Sequence, residues 1–322
     1  MTEALVRPDV RAFLDMLAAN PRPVFSDELM VQMRRMPPEM MALLDLPVGD
    51  VAEIRNVSMP GPAGEIALRL FDRRAGREPG PVVVFFHGGG FVVGSIDTHA
   101  ALAAEIARHL DLPVVSVEYR LAPEFPWPAA PDDAEAAARW IAQNGAAFGR
   151  EFTSLVLCGD SAGGTLACVT TLALRDRPAA LPVIMQVPIY PKADSSRYYA
   201  SSDAFADGYG LEPLNRAYYD SAYAPDPTSW RHSPAVADQS GIPPTLVVTA
   251  SLDPLRDEGR AFAARTIAAG VATTYREFEG TIHGFASYRK VIPSARADLA
   301  AVLDLAAAML KEIAGKTATS GD

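Results

Sequence analysis

Leu155-Val156-Leu157-Cys158-Gly159-Asp160-Ser161-Ala162-Gly163-Gly164-Thr165 is the stretch that decides the fold. A short apolar run stops at Gly159-Asp160-Ser161-Ala162-Gly163, a G-x-S-x-G pattern, and the residues beyond Gly164 have the apolar spacing of a buried helix. Strand, sharp turn and helix is the setting of a nucleophile elbow. Such a turn strains the serine backbone and demands small neighbours, a need that Gly159 and Gly163 meet. Ser161 is then expected at the strand's end and the helix N-terminus, where backbone N–H groups stabilise a developing anion. Without a base, the same pattern is only a glycine-rich turn.

Upstream, Val82 to Phe86 is a continuous apolar run suited to a central strand buried on both faces. It runs into His87-Gly88-Gly89-Gly90. Three successive glycines are costly in chain entropy, so this is either a flexible turn or a backbone that chemistry requires. In the second case the N–H groups of Gly88 and Gly89 approach a substrate carbonyl oxygen. Further upstream, VAEIRNVSM and EIALRLF alternate around Pro60 to Gly64, which predicts an antiparallel hairpin.

The alternation continues downstream. Helices are predicted over 98–110, 132–142 and 258–269, and strands over 114–119, 183–189, 245–250 and 273–278. Ser294 is expected to cap a last helix with Leu299, Val302, Leu303, Ala306 and Leu310 on one face, and the tail from Thr317 to be disordered. Strands alternating with helices mean a mostly parallel central sheet flanked by helices.

Two segments break the pattern. Residues 1–45 carry helical patterning, first Val10, Phe13, Leu14 and Leu17, then a group with Met30, Met33, Met36, Met40 and Met41. That group reads equally as a packed helix pair or a substrate-facing wall. Residues 191–234 are polar and aromatic without a strand, too long for a simple loop. The predicted organisation is a catalytic core of 46–190 and 235–316, with 1–45 and 191–234 as a discontinuous helical cap.

A serine nucleophile needs a base, and the base an acid. His99 and His109 fall within a predicted helix, His232 ends the insertion and His87 opens the glycine loop. His283 remains, just after the last strand, in the loops at strand ends where open α/β sheets place their sites. Asp253 follows the preceding strand, while Asp257, four residues on, is expected to cap the next helix. The order Ser161, Asp253, His283 is that of α/β-hydrolases.

Composition excludes other classes. A net charge of −10 without a Lys/Arg cluster argues against nucleic acid. Neither Cys158 nor Cys168 has metal-ligand or disulfide spacing, so both are expected as buried thiols. No leader pattern and no apolar run of about 18 residues occurs, which predicts a cytoplasmic chain without membrane insertion.

The chain resembles the bacterial hormone-sensitive-lipase-like branch of the α/β-hydrolase esterases. The resemblance rests on His87-Gly88-Gly89-Gly90, Tyr119-Arg120-Leu121-Ala122-Pro123-Glu124, Gly159 to Gly164, Asp253 to Gly259 and His283-Gly284-Phe285. It implies an α/β-hydrolase fold with a cap, hydrolysis of short- to medium-chain carboxylic esters, no metal or organic cofactor, and an oxyanion hole from the amides of Gly88, Gly89 and Ala162. Family members often form homodimers. Ser251-Leu252 departs from the bulkier pair the resemblance leads one to expect, which bears on substrate preference. The same triad could serve an amidase, a thioesterase or a lipase. A ligand receptor on this scaffold should have lost a triad member, and this chain retains all three.

Overall fold

The computed structural model describes residues 4–20, 23–35, 40 and 43–319, with side chains to residue 316. Met36 and Met41 lie outside the described residues. Eight strands form one sheet in the order β1-β2-β4-β3-β5-β6-β7-β8. β1 (Glu53–Gly61) and β2 (Gly64–Asp72) make the expected hairpin, and β2 also runs antiparallel to β4 (Val114–Val117). From β4 onward every pairing is parallel, through β3 (Gly80–Phe86), β5 (Phe152–Asp160), β6 (Val183–Ile189), β7 (Thr245–Leu252) and β8 (Thr273–Ile282). The alternation of chemistry explains the difference. Val82 to Phe86 are wholly buried because helices cover both faces of a parallel sheet, whereas β1 leaves much of itself in solvent.

Helices α3 (Ala100–Leu110), α4 (Ala129–Ile141), α5 (Ala162–Asp176), α8 (Arg256–Ala268) and α9 (Ala295–Thr319) flank the sheet. α5 is buried along nearly its whole length, so it sits at the centre of the molecule. Several boundaries differ from the sequence expectation by a few residues, and three of them are instructive. α4 starts at Ala129 because Pro131 falls in the first turn, where no N–H is needed. β8 continues past Phe278 through an irregularity at Gly280 (φ 73°), whose N–H donates to Ser251 Oγ at 2.8 Å. α9 runs on to Thr319, so the disorder expected from Thr317 is corrected at 317–319.

The N-terminal part carries α1 (Pro8–Ala19) and α2 (Asp27–Arg34), and the insertion after β6 carries α6 (Ser201–Ala204) and α7 (Pro213–Tyr223). α1 is fastened to the body. Val10, Phe13 and Leu14 share a core cluster with Phe278, Ile282 and Phe285, and Asp9 accepts the backbone N–H (2.7 Å) and hydroxyl (3.1 Å) of Ser294. The Ser294 side chain thus ties α1 to the start of α9, a use different from the cap expected of it. α2 leans on the insertion instead: Phe25 meets the rings of Tyr218 and Tyr219, and the Tyr218 hydroxyl donates to Asp27 at 2.8 Å. Among the described residues no helix is long and apolar enough to cross a membrane.

Candidate active site

β5 ends at Asp160, α5 begins at Ala162, and Ser161 between them has φ 54° and ψ −120°. A non-glycine residue with positive φ is strained, so the surroundings must hold it. They do so by close packing of backbone. A Cβ on Gly163 would lie 1.9 Å from the Phe86 carbonyl oxygen, and one on Gly159 would lie 2.3 Å from that of Gly163. Any side chain at either position would push the elbow apart. The Ser161 N–H is fixed to the Ile189 carbonyl at 2.8 Å, which anchors the turn to the next strand.

His283 follows the last residue of β8, and Gly284 (φ 81°) turns the chain away behind it. Its Nε2 lies 2.8 Å from Ser161 Oγ and its Nδ1 lies 2.7 Å from Asp253 Oδ2. An ionised carboxylate only accepts, so Nδ1 carries the proton and Nε2 faces the serine hydroxyl with its lone pair. Asp253, directly after β7, is fully buried, and its Oδ1 accepts the Leu255 N–H at 2.8 Å. The three expected side chains therefore meet. Asp257 does not cap its own helix. Its Oδ2 accepts the N–H of Ser201 at 3.0 Å, and its Oδ1 receives Arg256 (2.8 Å) and Arg260 (3.2 Å). It holds the insertion to the core, while Asp253 closes the turn before α8 as well as meeting the histidine.

The glycine loop requires a correction. The Gly88 N–H donates to Asp160 Oδ1 at 3.0 Å and is buried, so it is not free for a substrate oxygen. The next two glycines open onto the cavity at Ser161: Gly89 at φ 120° and Gly90 at φ 62°, with no protein acceptor for either N–H among the described residues. Ala162, at the first position of α5, offers the third amide beside the nucleophile. Of the expected pair, Gly88 is engaged by Asp160, while Gly89 lines the cavity together with Gly90.

Behind the loop is a buried polar cluster that sequence reasoning missed. His87 stacks on Tyr119 (4.2 Å between centroids), whose hydroxyl donates to the His87 carbonyl at 2.7 Å. Burial and the nearby His99 push the His87 imidazole down to about 3, so it is neutral. Asp160, one residue before the nucleophile, faces His99 Nε2 at 3.6 Å. An acid wedged between an apolar strand and the serine was the available signal. Elsewhere, His109 pairs with Asp304, and His232 lies 3.1 Å from Ser195 with burial lowering it to about 3. Neither joins the site. Among the described residues no cluster of three His, Cys, Asp or Glu could hold a metal ion, and Cys158 and Cys168 are buried free thiols.

Ser161 stands where two cavities meet. The larger, of about 500 Å³, is walled by Phe13, Leu17, Phe25, Met33, His283 and Tyr288. The smaller, of about 230 Å³, has Lys192, Ser202, Arg216, Tyr219, Asp220 and Glu258 in its wall. Met33 and Met40 face the larger cavity while Met30 is packed in the core, so the methionine group serves both readings of it. A hydroxyl aligned with an oriented imidazole, beside free amides at a helix start, is the equipment of acyl transfer.

Residues 83–287 match the family model described as the alpha/beta hydrolase fold. The chain is 38% identical to the carboxylic ester hydrolase LipN of Mycobacterium tuberculosis over 72% of its own length, and it spans 64% of that protein. It is 34% identical to carboxylesterase NlhH of the same organism, over 92% of this chain and 95% of that one. Among solved structures, the ester-hydrolase EH1AB1 from the metagenome of Lake Arreo, complexed with a bipyridine phosphonate derivative, superposes with a TM-score of 0.88 at 39% identity. That likeness covers 95% of this chain and 100% of the other.

Proposed function

The chain belongs to the hormone-sensitive-lipase-like carboxylesterases of the α/β-hydrolase superfamily, and from that premise we propose that it hydrolyses short- to medium-chain carboxylic esters through an acyl-enzyme on Ser161. The observation that carries the reading is the unbroken line Ser161 Oγ, His283 Nε2, His283 Nδ1, Asp253 Oδ2, at 2.8 and 2.7 Å.

His283 takes the serine proton as Oγ attacks the ester carbonyl, and Asp253 holds the imidazole and stabilises the imidazolium. The amides of Gly89, Gly90 and Ala162 receive the oxyanion, aided by the start of α5. The alcohol leaves with the proton from His283, and a water activated by the same nitrogen releases the acid. Residues 1–45 and 191–234 close over the site as a cap, a reading supported by the contacts of Phe25 and Asp27 with Tyr218 and Tyr219. The same reading places the enzyme in the cytoplasm, with an ester as its partner.

Aryl esters from acetate to palmitate, with Ser161→Ala as control, test this. We expect kcat/KM to peak at short or medium acyl chains and the variant to lose about 10⁴- to 10⁶-fold in rate while keeping its Tm. Retention of more than about a tenth of wild-type turnover would remove Ser161 from the mechanism.

A further inference from the structure

The wall of the smaller cavity at Ser161 contains a guanidinium, that of Arg216, which no carboxylate among the described residues answers. Arg216 Nη1 donates to Ser202 Oγ at 2.7 Å and Nη2 to the Ser202 carbonyl at 3.1 Å. Among the described residues its buried Nε–H has no acceptor, and no Asp or Glu is in ion-pair contact with it. The two acids in the same wall are otherwise engaged. Asp220 is paired with Lys192, and Glu258 Oε2 accepts the amides of Ala193 and Asp194, each at 3.0 Å. A guanidinium cannot shed its proton to escape burial, so a partly buried one lacking an anion is costly unless a ligand supplies it.

The chemistry of ester cleavage says which part of a substrate meets Arg216. The leaving oxygen must take its proton from His283 Nε2, and His283 lies in the wall of the larger, apolar cavity. The alcohol therefore departs on that side. The acyl chain points the other way, into the cavity walled by Ala162, Leu255 and Arg216. At about 230 Å³ this space is below the roughly 300–1,000 Å³ of a drug-sized site and holds only a short chain.

We propose that this cavity selects acyl groups ending in a carboxylate, the half-esters of short dicarboxylic acids, with Arg216 receiving the terminal carboxylate. The inference rests on the esterase reading and names the substrate class of the same site. The Nη1 and Nη2 hydrogens not given to Ser202 remain for the terminal carboxylate, while Lys192 in the same wall is already paired with Asp220. The simpler use of Arg216, as a strut from α7 to α6 through Ser202, predicts no such selectivity.

The test compares monoethyl succinate, glutarate and adipate with ethyl butyrate, valerate and hexanoate, following acid release by titration for wild type, Arg216→Met and Arg216→Lys. Wild type is expected to turn over at least one half-ester with a higher kcat/KM than the neutral ester of equal chain length. Arg216→Met should lower the ratio of half-ester to neutral-ester kcat/KM by about 10- to 100-fold, mainly through KM, and Arg216→Lys should restore part of it. Glutarate should also inhibit wild-type hydrolysis of ethyl valerate more strongly than valerate does, a readout that survives if a variant fails to fold. Half-esters at less than about a tenth of neutral-ester efficiency in wild type, or a ratio unmoved by Arg216→Met, overturn the proposal. Failure of wild type on both series overturns the esterase reading beneath it.

Discussion

The Asp160 carboxylate accepts the Gly88 N–H at 3.0 Å, joining the residue before the nucleophile to the loop that faces it. This bond takes Gly88 out of the pool of free amides and thereby fixes the position of Gly89 and Gly90. A Cβ on Gly88 would lie 2.5 Å from Asp160 Oδ2, so the two elements are in contact without slack. The oxygen that accepts this N–H, Oδ1, also faces His99 Nε2 at 3.6 Å. Burial works against charge on both, but each stabilises the ionised form of the other: the His99 pKa is raised and that of Asp160 lowered.

Asp160→Ala should leave the buried Gly88 N–H without an acceptor and let the loop drift, lowering kcat/KM by about 10²-fold. Asp160→Asn keeps an acceptor oxygen but loses the charge. The His99 contribution is present below its unfolded value near ~6.5 and lost as pH rises through the raised folded value. The Asp160 contribution is present above its unfolded value near ~3.9 and lost as pH falls through the lowered one. The Tm deficit of Asp160→Asn should therefore be largest between about pH 4 and about pH 6.5 and shrink in alkali. A deficit that does not vary with pH would mean that the pair contributes no charge term.

What could be read from sequence followed from how local its cause is. The elbow was legible because its G-x-S-x-G pattern spans five consecutive residues, although the contact that bars a side chain at Gly163 comes from the Phe86 carbonyl on the neighbouring strand. Asp253 and His283 were legible because each directly follows a strand. That the Gly88 amide is engaged could not be read because the acceptor that claims it lies 72 residues away, at the end of the adjacent strand. Asp257 was misread for a similar reason, since its partner Ser201 sits 56 residues away in the insertion. That no carboxylate among the described residues pairs with Arg216 is a property of the assembled cavity, and no pattern along the chain records it.

The two carboxylates after β7 have separable roles. Asp253→Asn can offer His283 an amide donor in place of an acceptor, which disfavours the working tautomer and should lower kcat by about 10⁴-fold. Asp257→Asn keeps an oxygen for the Ser201 N–H and loses only the charge facing Arg256 and the half-exposed Arg260. Such ion pairs contribute about 0–1 kcal/mol, so kcat should stay within about threefold of wild type with a small loss in Tm. Measuring kcat and Tm for both variants decides it. The reverse pattern would move the acid of the triad to Asp257.

Glu258 gives the sharpest pH signature. Burial pushes its carboxyl up to about 7, against the opposing pull of Lys192 and of the amides of Asp194 and Ala193. In the unfolded chain a glutamate ionises near ~4.3. Between those values the folded state holds a proton that the unfolded chain has released, so stability falls as pH climbs through this interval and stays at the lower level above it. The ceiling on that loss is on the order of 4 kcal/mol. Glu258→Gln keeps an oxygen for the two amides and has no charge to desolvate, so it resembles the protonated form at every pH. Its Tm should exceed that of wild type by roughly a few degrees above pH 7, and the gap should close toward about pH 4.5. A constant gap across that range, or a variant less stable than wild type in alkali, would show that the amides and Lys192 outweigh burial and that Glu258 is ionised throughout.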